Sequence, residues 1–140
     1  MQTFKLDFGW EIAIPDGWIM EKQDLGSYIF YPEDHEDVTT IYASAFHAEH
    51  QKMKTPEYMM RETFEKSIPV NAQEVSIITS VHCKAFFLLN ADGTYRIGAG
   101  YFTDGELLSL NVYAKNEEKA RAAAAGFGNV KILREGNNAV

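Results

Sequence analysis

The stretch from Val81 to Ala114 reads VHCKAFFLLN, ADGT, YRIGAGYFT, DG, ELLSLNVYA: three apolar-rich runs separated by two Asp-Gly turns. Asp-Gly suits a tight hairpin, because such turns need positive φ angles that a branched side chain resists. Val81 to Asn90, Tyr95 to Thr103 and Glu106 to Ala114 are therefore expected to form three strands of an antiparallel meander. Side chains alternate across a strand, which sends Val81, Cys83, Ala85, Phe87 and Leu89 to one face and Phe86 and Leu88 to the other. Leu108, Leu110 and Val112 divide from Leu107 and Tyr113 in the same way. Both faces are apolar, so the sheet has to be covered at least in part on both sides, and helices on opposite faces would do that.

Working outward, Thr55-Pro56-Glu57 carries the signals of a helix start: a Thr cap, Pro at the first helical position and a carboxylate at the positive end of the dipole. The helix is expected to run to about Ser67 before Pro69, burying Met60, Phe64 and Ile68 and exposing the pairs Glu57/Arg61 and Glu62/Lys66. A second helix is expected from an Asn116 cap through Ala120 to Ala125, weakening at Gly126 and Gly128. Toward the N-terminus, Phe4 to Phe8 and Trp10 to Ile14 read as strands around Gly9, and Pro15-Asp16-Gly17 makes a turn before a strand opened by Trp18. Ser27 to Tyr31 and Val38 to His47 read as a hairpin around the acidic run Pro32 to Asp37.

Composition limits the function classes. With 46% apolar and 24% charged residues over 140 positions, the chain is expected to fold by core burial as a single domain, residues 1–140. A net charge of -7 with scattered Lys and Arg repels phosphate, so neither nucleic acid nor an anionic membrane surface is an expected partner. The start of the chain lacks the basic and apolar segments of a secretory signal, and its single cysteine, Cys83, cannot form an internal disulfide. Both point to the cytoplasm.

The order of elements, with Ile14-Pro15-Asp16-Gly17-Trp18 leading into the hairpin, the Thr-Pro-Glu helix, the meander and the last helix, resembles the PsbP-like superfamily. The resemblance covers nearly the whole chain. It implies an α+β fold: an antiparallel sheet of about six or seven strands with helices on both faces, an α/β/α sandwich. Relatives of DcrB-like, Eag-chaperone-like and Ran-binding kinds imply noncatalytic binding of other proteins. The superfamily's functional residues do not map onto this sequence, and Pro15, Gly17 and Trp18 read as structural.

His47 and His50, with His35 from the acidic loop, form a weak metal set, since histidines three apart on a strand face opposite ways; solvated loop histidines are the simpler reading. His82 and Cys83 are neighbours on a strand and project apart, so they are not a catalytic dyad, and Cys83 reads as a buried thiol. Gly98 and Gly100, inside a strand, mark a bulge or the close approach of a helix. No catalytic residues and no cofactor are assigned. Tyr28, Tyr31, Tyr42 and Tyr101 are the candidate partner-contacting residues, because aromatic rings with a polar handle are enriched where proteins meet, although ordinary packing also accounts for tyrosines on strands.

These features favour a noncatalytic protein-interaction domain of adaptor, chaperone or immunity type. A basic protein partner would suit its charge, and a homodimer is also compatible. A small-molecule or metal binder using a pocket between sheet and helix, or His47 and His50, is the alternative. An enzyme with a dispersed site ranks last.

Overall fold

The computed structural model describes residues 1–34, 36–48 and 55–133. Ten strands form two antiparallel sheets in the described residues. β3 (Trp18–Lys22), β4 (Ser27–Pro32), β5 (Thr40–His47), β6 (Gln73–Val75), β7 (His82–Leu89), β8 (Tyr95–Thr103) and β9 (Glu106–Ala114) make a seven-stranded sheet in the order β3-β4-β5-β9-β8-β7-β6. The meander and the hairpin around the acidic loop are both present, and β5 against β9 joins them, from Thr40 opposite Tyr113 to His47 opposite Glu106. Gly105 takes a φ of 79° in the tight turn between β8 and β9, a conformation open to glycine at little steric cost.

β1 (Gln2–Lys5) and β2 (Trp10–Ile14) do not join this sheet. With β10 (Lys131–Ile132) they form a separate three-stranded sheet in the order β1-β2-β10. The first strand also ends earlier than its alternation suggests: Asp7–Gly9 is a 3-10 turn, with Phe8 at φ 65° and Gly9 at φ 87°. Polar capture explains the break. The Asp7 carboxylate accepts the Gly26 N–H at 2.6 Å and the Lys22 ammonium at 3.2 Å, while the Asp7 N–H donates to the Tyr28 hydroxyl at 2.8 Å. These bonds turn the chain out of the strand and tie it to the β3–β4 hairpin.

Burial alone would raise the Asp7 pKa, but the Gly26 N–H, the Tyr28 hydroxyl and Lys22 outweigh it and hold the carboxyl below its usual value. A folded-state pKa below the unfolded one stabilises above about pH 4, and that contribution is lost as pH falls through the folded value. Asp7→Asn is therefore expected to cost about 1 kcal/mol in urea melts at pH 7. The gap to the parent protein should narrow in melts as the pH falls below about 4, and a gap unchanged at low pH would contradict this role.

The first helix starts at Pro56, capped by the Thr55 side chain accepting from the Tyr58 N–H. It is α-helical over Pro56–Met59, then passes through a π turn at Met60–Phe64 and a 3-10 turn at Glu65–Ser67. The expected end near Ser67 holds, and Lys66 pairs with Glu62 at 2.6 Å. α2 (Glu117–Ala123), capped by the Asn116 side chain on the Lys119 N–H, gives way at Ala124–Asn129 to a 3-10 turn.

These pieces cover the large sheet unequally. On one face, Tyr28, Phe30, Ile41, Ala43, Leu108, Leu110, Val112, Ile97, Ala99, Tyr101 and Ala85 pack against the small sheet (Trp10, Ile12, Ile14) and the α2 segment (Ala120, Ala123, Phe127). The Tyr101 hydroxyl donates to the Phe127 carbonyl at 2.7 Å, which satisfies it inside the core. On the other face the first helix buries Met59 and Phe64 against Phe86, Leu88 and Phe102. The register of β7 with β8 runs without a bulge, and a Cβ on Gly100 would lie 2.7 Å from the Phe64 ring, so Gly100 marks a close helix approach. At Gly98 the space is taken by the ring of Phe86.

Candidate functional site

The first helix packs over β7 and β8, and the face it shares with β3, β4, β5 and the outer part of β9 is left open among the described residues. Register identifies what the open half carries. Ile19 lies opposite Tyr31, Glu21 opposite Ile29, Tyr42 beside both Ile29 and Asn111, and Thr40 beside Tyr113. Alternation adds Ser44 and Phe46 from β5 and Ser109 from β9. Tyr42 is 47% exposed, Phe46 46% and Ile19 39%. Large apolar side chains grouped on one sheet face, rather than scattered singly, are the usual mark of a contact surface.

The open half is built to be rigid. The rings of Tyr42 and Tyr113 meet edge to face at 5.7 Å. Arg96, on β8, stands at the border with the helix-covered half. Its Nε and Nη2 donate to Asn111 Oδ1 at 3.0 and 2.9 Å, and its guanidinium lies 5.1 Å from the Phe86 ring and 5.5 Å from the Tyr113 ring. Asn111 in turn donates to Ser109 Oγ at 3.2 Å. Thus the Arg96 guanidinium is already bonded and sandwiched, and it holds Tyr113 in place. Val38, Thr40, Tyr42, Asn111 and Tyr113 line a shallow open depression of about 520 Å³.

The four tyrosines singled out from the sequence separate here. Tyr42 lies in the middle of the open half, and Tyr31 is half-buried on the same face. Tyr28 and Tyr101 are corrections: they are 4% and 0% exposed, facing the small sheet, so neither can touch a partner. One position decides each case. Tyr28 is one residue away from Ile29 and so points to the opposite face, and Tyr101 alternates with Phe102 in the same manner. Ile19, Phe46 and Tyr113, not singled out as contacts from the sequence, also lie on this face; alternation with Tyr42 along β5 would have found Phe46, while Ile19 and Tyr113 come there only through strand pairing.

The other candidates lie away from this face. His47 ends β5 with Nδ1 2.5 Å from Glu106 Oε1 and its ring stacked on Phe8 at 5.7 Å. His35 and His50 lie outside the described residues. Among the described residues, His, Cys, Asp and Glu side chains do not gather in threes around a point where a metal ion could sit. Cys83 packs against the main core while His82 is exposed, and burial pushes the Cys83 thiol up to about 12, which keeps it protonated at neutral pH. In the acidic loop, Asp37 accepts from the Thr39 hydroxyl at 2.6 Å, the Thr39 N–H and Lys119 at 3.0 Å. The hydroxyl bond leads the effects that lower its pKa, and the cluster fastens the loop to α2. Glu33, Asp34 and Glu36 stay exposed. No described helix is long and apolar enough to cross a membrane.

No protein-family model matches the chain, and no curated protein sequence does. Solved structures do. A protein from Bacteroides thetaiotaomicron VPI-5482 superimposes with a TM-score of 0.59 at 17% identity over 91% of this chain, which spans 46% of that protein. The cyanobacterial PsbP, CyanoP, of Synechocystis sp. PCC 6803 matches at a TM-score of 0.54 and 12% identity, covering 94% of this chain and 92% of its own. LpqN of Mycobacterium tuberculosis matches at 0.51 and 17% identity over 89% and 83% of the two chains. The chain thus has a PsbP-like α+β fold, and at these identities the likeness speaks for fold alone.

Proposed function

We propose that the protein is a noncatalytic accessory domain that binds a protein partner through the open half of its large sheet. The observation that carries this reading is the set of exposed aromatic and apolar side chains Ile19, Tyr42 and Phe46, with Tyr42 packed edge to face on Tyr113, on a face whose other half a helix already covers. Covering such a row would remove apolar surface from water at about 25 cal/mol per Å², with little side-chain ordering left to oppose it because Tyr42 and Tyr113 are already packed together. Two of the structural neighbours fit an accessory role: one is a PsbP, and LpqN is involved in cell envelope biogenesis.

Photo-crosslinking tests the reading in the living cell. A benzophenone amino acid at Tyr42 or Phe46 is expected to give the same discrete protein adduct, while one at the exposed Glu118, on the helix α2 that packs on the opposite face of the large sheet, should not. Equal labelling from all three positions, or none from Tyr42 and Phe46, would remove the open half as the binding face.

A further inference from the structure

β3 is an edge strand, and among the described residues its outer side is open from Met20 to Lys22. The Glu33 N–H donates to the Gly17 carbonyl and the Gln23 N–H to the Ser27 carbonyl, at 2.9 Å each, so the odd-numbered residues of β3 bond to β4. The even-numbered ones, Trp18, Met20 and Lys22, therefore aim their N–H and C=O groups away from the sheet. The Gln2 amide fills one of these outward groups, the Trp18 carbonyl, at 2.9 Å. Those of Met20 and Lys22 have no partner among the described residues, and the strand is exposed from Ile19 to Lys22. An exposed edge of this kind is a template for another strand.

Charge indicates what that strand would carry. On the open face, a strand laid along β3 would set its alternate side chains beside Glu21 and Ile19 and, just past the strand's start, beside Gly17, which sits in the preceding turn at φ 80°. Glu21 has no ion-pair partner among the described residues. Nor has Glu33, whose N–H donates to the Gly17 carbonyl, and above Gly17 nothing stands within 4 Å of where a Cβ would be. A long basic side chain beside Gly17 can thus cross it to reach Glu33, two strand spacings or about 10 Å away. Resting on the reading that the open half is the partner face, we propose that the partner contributes an extended segment that adds to β3. Its alternate residues are basic, apolar and basic, facing Glu21, Ile19 and, across Gly17, Glu33. A second copy of this chain is disfavoured as occupant, because each copy carries a net charge of -7.

Fluorescence anisotropy with two short labelled peptides tests this, one placing Lys, Val and Lys at alternate positions of a threonine background, the other Glu, Val and Glu. The Lys peptide is expected to bind saturably below about 1 mM and the Glu peptide not. Met20→Pro removes an outward N–H without touching the β4 ladder, and should weaken binding about tenfold with the melting temperature nearly unchanged. Glu21→Lys with Glu33→Lys should reverse the preference between the peptides. No saturation by the Lys peptide, or Met20→Pro binding as well as the parent protein, would overturn the proposal. So would a homodimer that Met20→Pro disperses, which would assign the edge to a second copy. Failure here beside intact adducts from Tyr42 and Phe46 would sink strand addition alone; loss of those adducts would sink the face itself.

Discussion

Gly126→Ala is expected to lower the unfolding free energy by about 2–4 kcal/mol, and the melting temperature by roughly 10 °C. A Cβ at this position would sit 2.2 Å from the Ala13 carbonyl oxygen and 2.9 Å from its carbon. Both obstacles belong to the backbone of β2, which is held between β1 and β10 and cannot swing aside as a side chain can. The 3-10 turn after α2 must therefore lift off the small sheet, loosening Phe127 and with it the acceptor of the Tyr101 hydroxyl. Gly128→Ala provides the contrast. Its nearest contact is the Ile78 carbonyl oxygen at 3.3 Å, and thermal melts should show a much smaller loss. A loss at Gly126 as small as that at Gly128 would mean that the turn accepts a side chain at both positions.

The second large effect is a coupling. Phe64 is 6% exposed, with its ring 5.9 Å from that of Phe86 and 6.0 Å from that of Phe102, so Phe64→Ala is expected to cost about 3–5 kcal/mol. Gly100→Ala should also destabilise, because its methyl group would enter the space of the Phe64 ring. The two losses should not add. With the ring gone, the methyl group partly fills the cavity, and the double variant is expected to be more stable than the sum predicts by about 1–3 kcal/mol. Denaturant melts of the four proteins measure this term, and additivity within about 0.5 kcal/mol would refute the contact. Gly126 has no such rescue, since its obstacle is main chain.

Local chemistry made much of this fold legible in the sequence. The Asp-Gly turns and two-residue periods placed β7, β8 and β9, and the Thr55 and Asn116 caps placed both helix starts within a residue. Hidden from it was the assignment of strands to sheets. β1 and β2 have ordinary strand patterns, and nothing local says that they pair with a two-residue strand near residue 131 rather than with β3. The break after Lys5 was equally out of reach, because it depends on Asp7 meeting Gly26 and Lys22 in space. For the site, sequence identified tyrosines as a class, and only the register separates Tyr31 and Tyr42 from Tyr28 and Tyr101. A residue's face is fixed by parity, but which face stays bare is decided by where a distant helix packs.

The pairing of β10 with β2 also bears on how the chain comes off the ribosome. Lys131 meets Glu11 and Ile132 meets Trp10, so the small sheet is completed by residues made about 120 positions apart. The hairpins of the large sheet close from near neighbours as they emerge, but the apolar side carrying Leu108, Leu110 and Val112 stays without part of its cover until the residues around Val130 have been made. A nascent chain stalled before Val130 would leave that apolar underside uncovered, and truncation there should yield aggregates rather than a smaller folded protein.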